Sequence, residues 1–240
     1  MTADNKSYTI YSMINAIIET LNKNYLKYVC IIENLKSEDK EILYLSSSCV
    51  AFKILPSGII MLAGISDYEN AVNSVINLSG TFFTPDGEIK DLLTKKKGLK
   101  TYPCKQYLYG RQVVEPMDIE IKRLTPTKEN VKFVCENYSL GYTESQVYHV
   151  LKDRLLLGGY KNGKICGFVG MHEELSVGLL EVLKDFKRQG IGSYLLKTCV
   201  NYFLDNSLVP FCHVRSENIA SIELHKKLNC KPYEYDVYWF

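Results

Sequence analysis

The stretch Lys187-Arg188-Gln189-Gly190-Ile191-Gly192-Ser193 sets two cations and two glycines between an apolar run (175–183) and a segment of helical spacing (193–205). A helix start leaves backbone N–H groups unpaired and carries partial positive charge, so anions settle there. Glycine supplies φ > 0 for a nest of N–H groups and lets the backbone approach a bulky phosphate. The chemistry on offer is a phosphate cradle; the plainer reading is a basic turn that opens a helix. A nucleoside-triphosphate loop requires Lys after its last glycine, where Ser193 stands, and a dinucleotide fingerprint requires a third glycine, where Leu195 stands. Neither fits.

Titratable groups lie close by in sequence. Strict alternation along 175–183 sets Glu181 on one strand face with Val177, Leu179 and Leu183, an apolar setting that strengthens a carboxylate as a base. A strand-end Glu that reaches solvent or pairs with a lysine is the competing reading. His172 is a candidate substrate contact, and Glu173 and Glu174 are carboxylates able to act through water or simply to solvate a turn. His149 and His213 read as structural.

These residues need elements to position them. Apolar spacing predicts a helix over 10–26, strands at 49–55 and 58–65 joined through Pro56-Ser57-Gly58, and a helix over 67–78. A short strand at 81–84, a helix ending in Lys95-Lys96-Lys97 and a strand at 101–110 follow. The pattern resets around Pro116. Then come a strand at 118–124, helical segments across 127–152, a hairpin over 155–171 turning at KNGK, the strand 175–183, the glycine loop and its helix. A strand at 209–215, a helix over 217–228 and a closing, aromatic-rich strand near 233–240 complete the chain. The expectation is an α/β (α+β) fold with two domains, 1–115 and 116–240.

Composition excludes several classes. A net charge of +2, with 46% hydrophobic and 23% charged residues, describes an ordinary globular chain without a nucleic-acid-binding face. No apolar window approaches the roughly 18 residues of a membrane span, and the N-terminus lacks a signal-peptide pattern. The eight cysteines are scattered, with no CxxC pair and no histidine clustering, so they read as buried thiols of a reducing cytoplasm without disulfide or metal.

Two segments in order carry a resemblance. Lys187 to Gly192 resembles the R/Q-x-x-G-x-G/A motif of the GNAT acyltransferase superfamily, with Lys187 in the first position. Downstream, ENIASIELHKKLNC resembles its N-x-x-S-x-x-L-Y-x-K-L-G-F segment: Asn218, Ser221, Leu224, Lys227 and Leu228 match, His225 stands for Tyr, and Asn229-Cys230 replaces Gly-Phe. Lys184 stands where proline is common. The resemblance covers 117–240, and MHEELSVGLLEV with VPFCHVRSENIASIELHKKL is closest in flavour to the glycine N-acyltransferase-like branch and related bacterial acetyltransferases. It implies a C-terminal GNAT fold, a central mixed β-sheet flanked by helices, preceded by a smaller, degenerate GNAT-like half without a coenzyme site.

The resemblance also implies a function: transfer of acetyl from acetyl-CoA to the primary amine of a small amine or amino-acid-like substrate, by direct attack in a ternary complex. Coenzyme A then rests on the backbone of Val182 and Leu183, on Lys187, Arg188, Gln189, Gly190, Ile191, Gly192 and Ser193, and on Asn218, Ser221 and Lys227, with no metal. Glu181 is the candidate base and His225 the candidate acid for the leaving thiolate; a polar residue on an exposed helix face is the other reading of His225. Relatives place their base earlier on the strand, where this chain has Ser176. A non-catalytic acyl-CoA sensor and an acetyltransferase of protein N-termini or lysines are the alternatives. The expected partner is a small-molecule amine, not nucleic acid or membrane, for a cytoplasmic monomer or homodimer.

Overall fold

The computed structural model describes residues 3–228 and 230–240, with side chains from residue 9; Asn229, part of the second motif, lies outside the described residues. The chain opens with helices α1 (Ala3–Asn22) and α2 (Tyr25–Lys36) and strands β1 (Lys40–Leu45), β2 (Cys49–Ile54) and β3 (Ile60–Gly64). Helix α3 (Tyr68–Val75), β4 (Phe82–Thr84), α4 (Gly87–Lys97) and β5 (Tyr102–Leu108) follow. The second series is β6 (Glu120–Arg123), α5 (Lys128–Asn137), α6 (Glu144–Asp153), β7 (Leu156–Lys161), β8 (Lys164–Met171) and β9 (Val177–Val182). It ends with α7 (Ile191–Asp205), β10 (Phe211–Arg215), α8 (Ile219–Lys227) and β11 (Pro232–Trp239).

The helix expected over 10–26 is two helices, parted at Lys23-Asn24. Apolar spacing finds α1, which buries Ile14, Ile17 and Leu21 along one stripe. Helix α2 escapes that test. It buries Tyr28, Val29, Cys30, Ile31, Ile32, Asn34 and Leu35, most of its circumference, so no polar face marks its period.

The order β-β-β-α-β-α-β runs from β1 to β5 and recurs from β7 to β11. Strands group into a seven-stranded sheet, β1-β2-β3-β4-β11-β5-β10, and a four-stranded sheet, β6-β7-β8-β9. Two compact units result. The first takes in the chain to Gln106, His213–Asn218 and Pro232–Phe240; the second takes in Tyr107–Cys212 and Ile219–Lys231. A single cut at 115/116 separates the two element series but not the units, because β11 closes the second series while lying in the first unit.

In the first unit, β2 and β3 are buried along nearly their whole length, and Leu62, Val72, Val75, Phe82, Ile89 and Leu93 fill its core. In the second unit, Val131, Val134, Val147, Val150 and Leu151 of α5 and α6 pack on Leu156, Phe168 and Leu179. Thr127 and Thr143 cap these helices, the latter in a capping box with Gln146. The cysteines are free thiols, buried except for Cys135 and Cys230. Among the described residues no helix is long and apolar enough to cross a membrane, and no group of three or more His, Cys, Asp or Glu is placed to hold a metal.

Candidate functional site

Strand β9 pairs along one side only. Val177 faces Met171, Gly178 faces Gly170, Glu181 faces Phe168 and Val182 faces Gly167. Leu179 and Leu180 therefore oppose the single residue Val169, which is a β-bulge, and Leu179 takes φ +49°. Among the described residues the other edge carries no ladder, since β9 ends the four-stranded sheet. Such an edge accepts an extended, amide-bearing chain.

The bulge corrects the alternation argument. Met171 and Phe168 point to opposite faces of β8, so their partners Val177 and Glu181 lie on opposite faces of β9. Glu181 is no isolated carboxyl either: Oε1 lies 3.3 Å from Lys187 Nζ, with its side chain 16% exposed. The pairing expected as the competing reading is the geometry found.

After β9 the chain makes a short 3-10 turn (Lys184–Phe186) and enters the glycine loop. Arg188 at φ +62° and Gly190 at φ +81° are left-handed, and Gly190 is the N-cap of α7. The first helical bond runs from Tyr194 N–H to Gly190 C=O at 3.1 Å, which leaves Ile191, Gly192 and Ser193 N–H ahead of the ladder with no side-chain cap. No acidic residue lies in the first turn. A Cβ added at Gly192 would meet only Val182 Cγ2, at 3.5 Å. The loop is tied down from behind: Lys161 Nζ donates to Gln189 Oε1 at 3.0 Å, and Gln189 Nε2 donates to Asp185 C=O at 3.2 Å. These residues fit a pyrophosphate, with open N–H groups, bare glycines and exposed cations at one helix start.

The second motif is less concentrated. Ser221 and Lys227 lie on α8 in the second unit, Lys227 exposed in the last turn. Asn218 is exposed and closes the 213–218 segment of the first unit.

His225 is not on an exposed helix face. It is 3% exposed, against Tyr107 at a ring separation of 4.3 Å. Ser221 C=O can only accept, so Nδ1 carries the proton and donates to it at 2.6 Å. Nε2 then accepts from the buried Tyr109 hydroxyl, with Cys212 Sγ at 3.3 Å. Burial pushes the imidazole down, against the opposing Ser221 carbonyl. A neutral ring whose outer nitrogen accepts has no proton there for a thiolate, so the geometry opposes the acid role. His225→Phe is expected to cost stability instead, about 1–3 kcal/mol for the broken buried network, read by urea unfolding. The wild type should also lose stability as pH falls through about 6.5, where the unfolded chain takes up a proton that the buried ring refuses. The Phe variant should lack that slope.

The β8–β9 turn holds groups that sequence reading named without placing. His172 lies over Gly178 so closely that a Cβ there would fall 2.1 Å from Nε2. Nε2 faces Leu179 N–H at 3.3 Å, and Nδ1 lies 2.8 Å from Tyr142 Oη. Glu173 and Glu174 are buried, and Ser176 Oγ donates to Glu174 Oε1 at 2.6 Å. Burial, and then Glu174, push the Glu173 carboxyl up against Arg154 and His149. A raised carboxyl favours folding below its unfolded value and costs stability as pH rises through its folded value. Glu173→Gln should therefore stabilise the protein at pH 7, with the gain vanishing by about pH 4, where both chains carry a neutral group. Equal or lower stability at pH 7 would count against this.

The corresponding place in the first unit is differently furnished. Strands β3 and β4 form a parallel ladder, Ile60 to Phe82 and Met61 to Phe83. Beyond it, Asp86 Oδ2 accepts from Gly64 N–H at 2.9 Å, Oδ1 takes Tyr28 Oη at 2.9 Å, and Lys27 makes an ion pair. Helix α3 begins at Asp67, a carboxylate where α7 has Gly190.

Comparison with known proteins gives a family match and a fold likeness. Residues 127–229 match the Acetyltransferase (GNAT) family. The fold resembles that of a GCN5-related N-acetyltransferase-like protein from Streptococcus suis (14% identity, 95% of this chain and 100% of that one, TM-score 0.59). It also resembles a GCN5-related N-acetyltransferase from Kribbella flavida (9%, 89% and 94%, TM-score 0.63). A tandem GNAT protein of the clavulanic acid biosynthesis pathway aligns too (10%, 95% and 94%, TM-score 0.53). Among curated proteins, the tRNA uridine 5-carboxymethylaminomethyl modification enzyme MnmG of Flavobacterium johnsoniae is 34% identical over 100 residues, 40% of this chain; the chain spans only 16% of that protein. Residues 127–229 are therefore similar in sequence to the Acetyltransferase (GNAT) family, and the fold resembles that of GCN5-related N-acetyltransferases.

Proposed function

We propose that the protein is an acyl-CoA-dependent N-acetyltransferase that acts on the primary amine of a small amine or amino-acid-like substrate, by direct attack in a ternary complex. The observation that carries this reading is the open edge of β9 running into the uncapped, glycine-started helix α7. On this reading Ile191, Gly192 and Ser193 N–H hold the pyrophosphate, Lys187 and Arg188 add charge, and the Val182–Leu183 backbone guides the pantetheine arm. Ser221, Lys227 and Asn218 are the remaining family-derived contacts. The bound acyl-CoA supplies an activated thioester carbonyl.

Glu181, held by Lys187, orients that cation rather than taking the acceptor's proton. The first unit binds no coenzyme, because a strand ladder, Asp86 and Asp67 occupy the positions a pantetheine arm and phosphate would need. The test is twofold: calorimetry of coenzyme A with the wild type, and release of free thiol from acetyl-CoA with glycine, putrescine, tyramine and a short peptide as acceptors. No binding sinks the reading. Binding without thiol release favours an acyl-CoA sensor, the second reading, which the buried neutral state of His225 supports.

A further inference from the structure

We infer that His172, oriented by Tyr142 and seated on the bulge of β9, is the general base that deprotonates the acceptor amine; this deepens the acetyltransferase reading and rests on it. The hydrogen bonds of the ring fix its tautomer. Leu179 N–H can only donate, so Nε2 bears a lone pair, and Nδ1 bears the proton and donates to Tyr142 Oη at 2.8 Å. That is a base with its second nitrogen fixed by an orienting group. The contact with Leu179 N–H is long, 3.3 Å, and the ring is half-buried, so an incoming N–H can replace it.

Its position suits the role. The glycine loop follows the C-terminal end of β9, and His172 sits over Gly178 near the N-terminal end. An extended arm anchored at the loop and laid along the strand carries its reactive end toward the bulge. Glu181, paired with Lys187, stands at the phosphate end. The lack of a side chain at Gly178 is what admits the ring.

Aromatic and charged groups surround the ring. Tyr138 and Tyr142 face the ring from the end of α5 and the loop after it, at 6.5 and 6.1 Å between ring centres. Glu173 and Glu174 follow it in its own turn, with Arg154 and His149 acting on Glu173. Residues 176–180 bring no charge. Burial, and then Glu174, keep the Tyr142 phenol protonated, so it stays an acceptor for Nδ1–H with its own proton in place.

The step balances. The acceptor's ammonium gives one proton to Nε2 and becomes a neutral amine. Its lone pair forms the C–N bond to the thioester carbonyl carbon as the C–S bond breaks. That electron pair leaves on the coenzyme A sulfur, which takes the second proton shed by nitrogen; the first passes from His172 to solvent.

The experiment compares variants by thiol release from acetyl-CoA, with the best amine of the panel. His172→Gln should lower kcat by about 10²–10⁴, leave the KM for acetyl-CoA within a few-fold, and abolish the acid limb of the kcat/KM profile. Added imidazole should restore part of the rate to His172→Ala. Glu181→Gln should show the opposite split, raising the KM for acetyl-CoA more than it lowers kcat. A folded His172→Gln with near-native kcat, or a folded His172→Ala that imidazole does not rescue, overturns the inference while leaving the acetyltransferase reading standing. Should both fail to fold, Tyr142→Phe decides: an unaltered pH profile overturns the inference, and a displaced acid limb supports it. A wild type that binds no acetyl-CoA overturns the parent reading and this one together. One that binds it yet acylates no amine overturns this inference in favour of a sensor.

Discussion

Gly190→Asp is expected to weaken coenzyme A binding by about 10²-fold or more and to leave the protein folded. The fold tolerates the change because a Cβ at this position meets only Met117 Cε, at 3.5 Å. Aspartate is among the few residues that enter the left-handed region at modest cost, and here φ is +81°. Its carboxylate puts a negative charge beside the N–H groups ahead of Tyr194, where an anion would otherwise sit. That is why binding should fail: a negative charge stands where phosphate belongs. Each charge-assisted hydrogen bond is worth about 1.5–3 kcal/mol, so losing the cradle lowers affinity by about 10²-fold or more. Gly190→Ala brings the backbone strain without the charge and should lose far less. Calorimetry on both variants, with circular dichroism to show the fold, separates the causes. Unchanged affinity in a folded Gly190→Asp protein would remove the loop from the coenzyme site.

Asp86→Ala is expected to cost the first unit about 3 kcal/mol of stability. The residue is fully buried and satisfies three partners at once: Lys27, Gly64 N–H and the Tyr28 hydroxyl. Removing one member of a buried ion pair costs about 3–5 kcal/mol, because the other charge stays behind without compensation. Lys27 keeps its side chain 23% exposed and can turn toward water, so the lower end, about 3 kcal/mol, is expected. The partners lie far apart in sequence, which makes the loss one of tertiary closure rather than of helix propensity. Urea unfolding should register it. Replacing Lys27 by Met in the Asp86→Ala background should recover part of the loss, and a double-mutant cycle gives the coupling. A cost within experimental scatter of zero would mean that the pair merely decorates the unit.

Much of this protein could be read from the chain because the relevant physics is local. The glycine loop needs only its own residues and the helix behind it: left-handed Gly190, the absence of acid in the first turn of α7, and the cations ahead of it. The strands and helices of the second half follow from apolar period and turn residues, and together with two motifs in order they carry the similarity of residues 127–229 to the GNAT family. Where local period fails, so does the reading. Helix α2, buried nearly all round, has no polar stripe to count.

Tertiary structure decided the rest, each time through a contact between residues distant in sequence or a register that sequence does not display. The bulge at Leu179 exists only against β8, and a one-residue slip moves Glu181 to the other face from Val177. His225 reads as polar by its place on α8, but Tyr107 and Tyr109, which arrive from a strand end far earlier in the chain, bury it and take up its acceptor nitrogen. His172 becomes a candidate base only when Gly178 opens room for its ring and Tyr142 fixes its proton. The chain by itself determined the glycine loop and the helix start proposed as a phosphate cradle, since such a cradle is built from consecutive backbone groups. On the proposed reading, which side chain moves the proton depends on the fold, since a base is made by the neighbours that orient and desolvate it, and those neighbours are not consecutive.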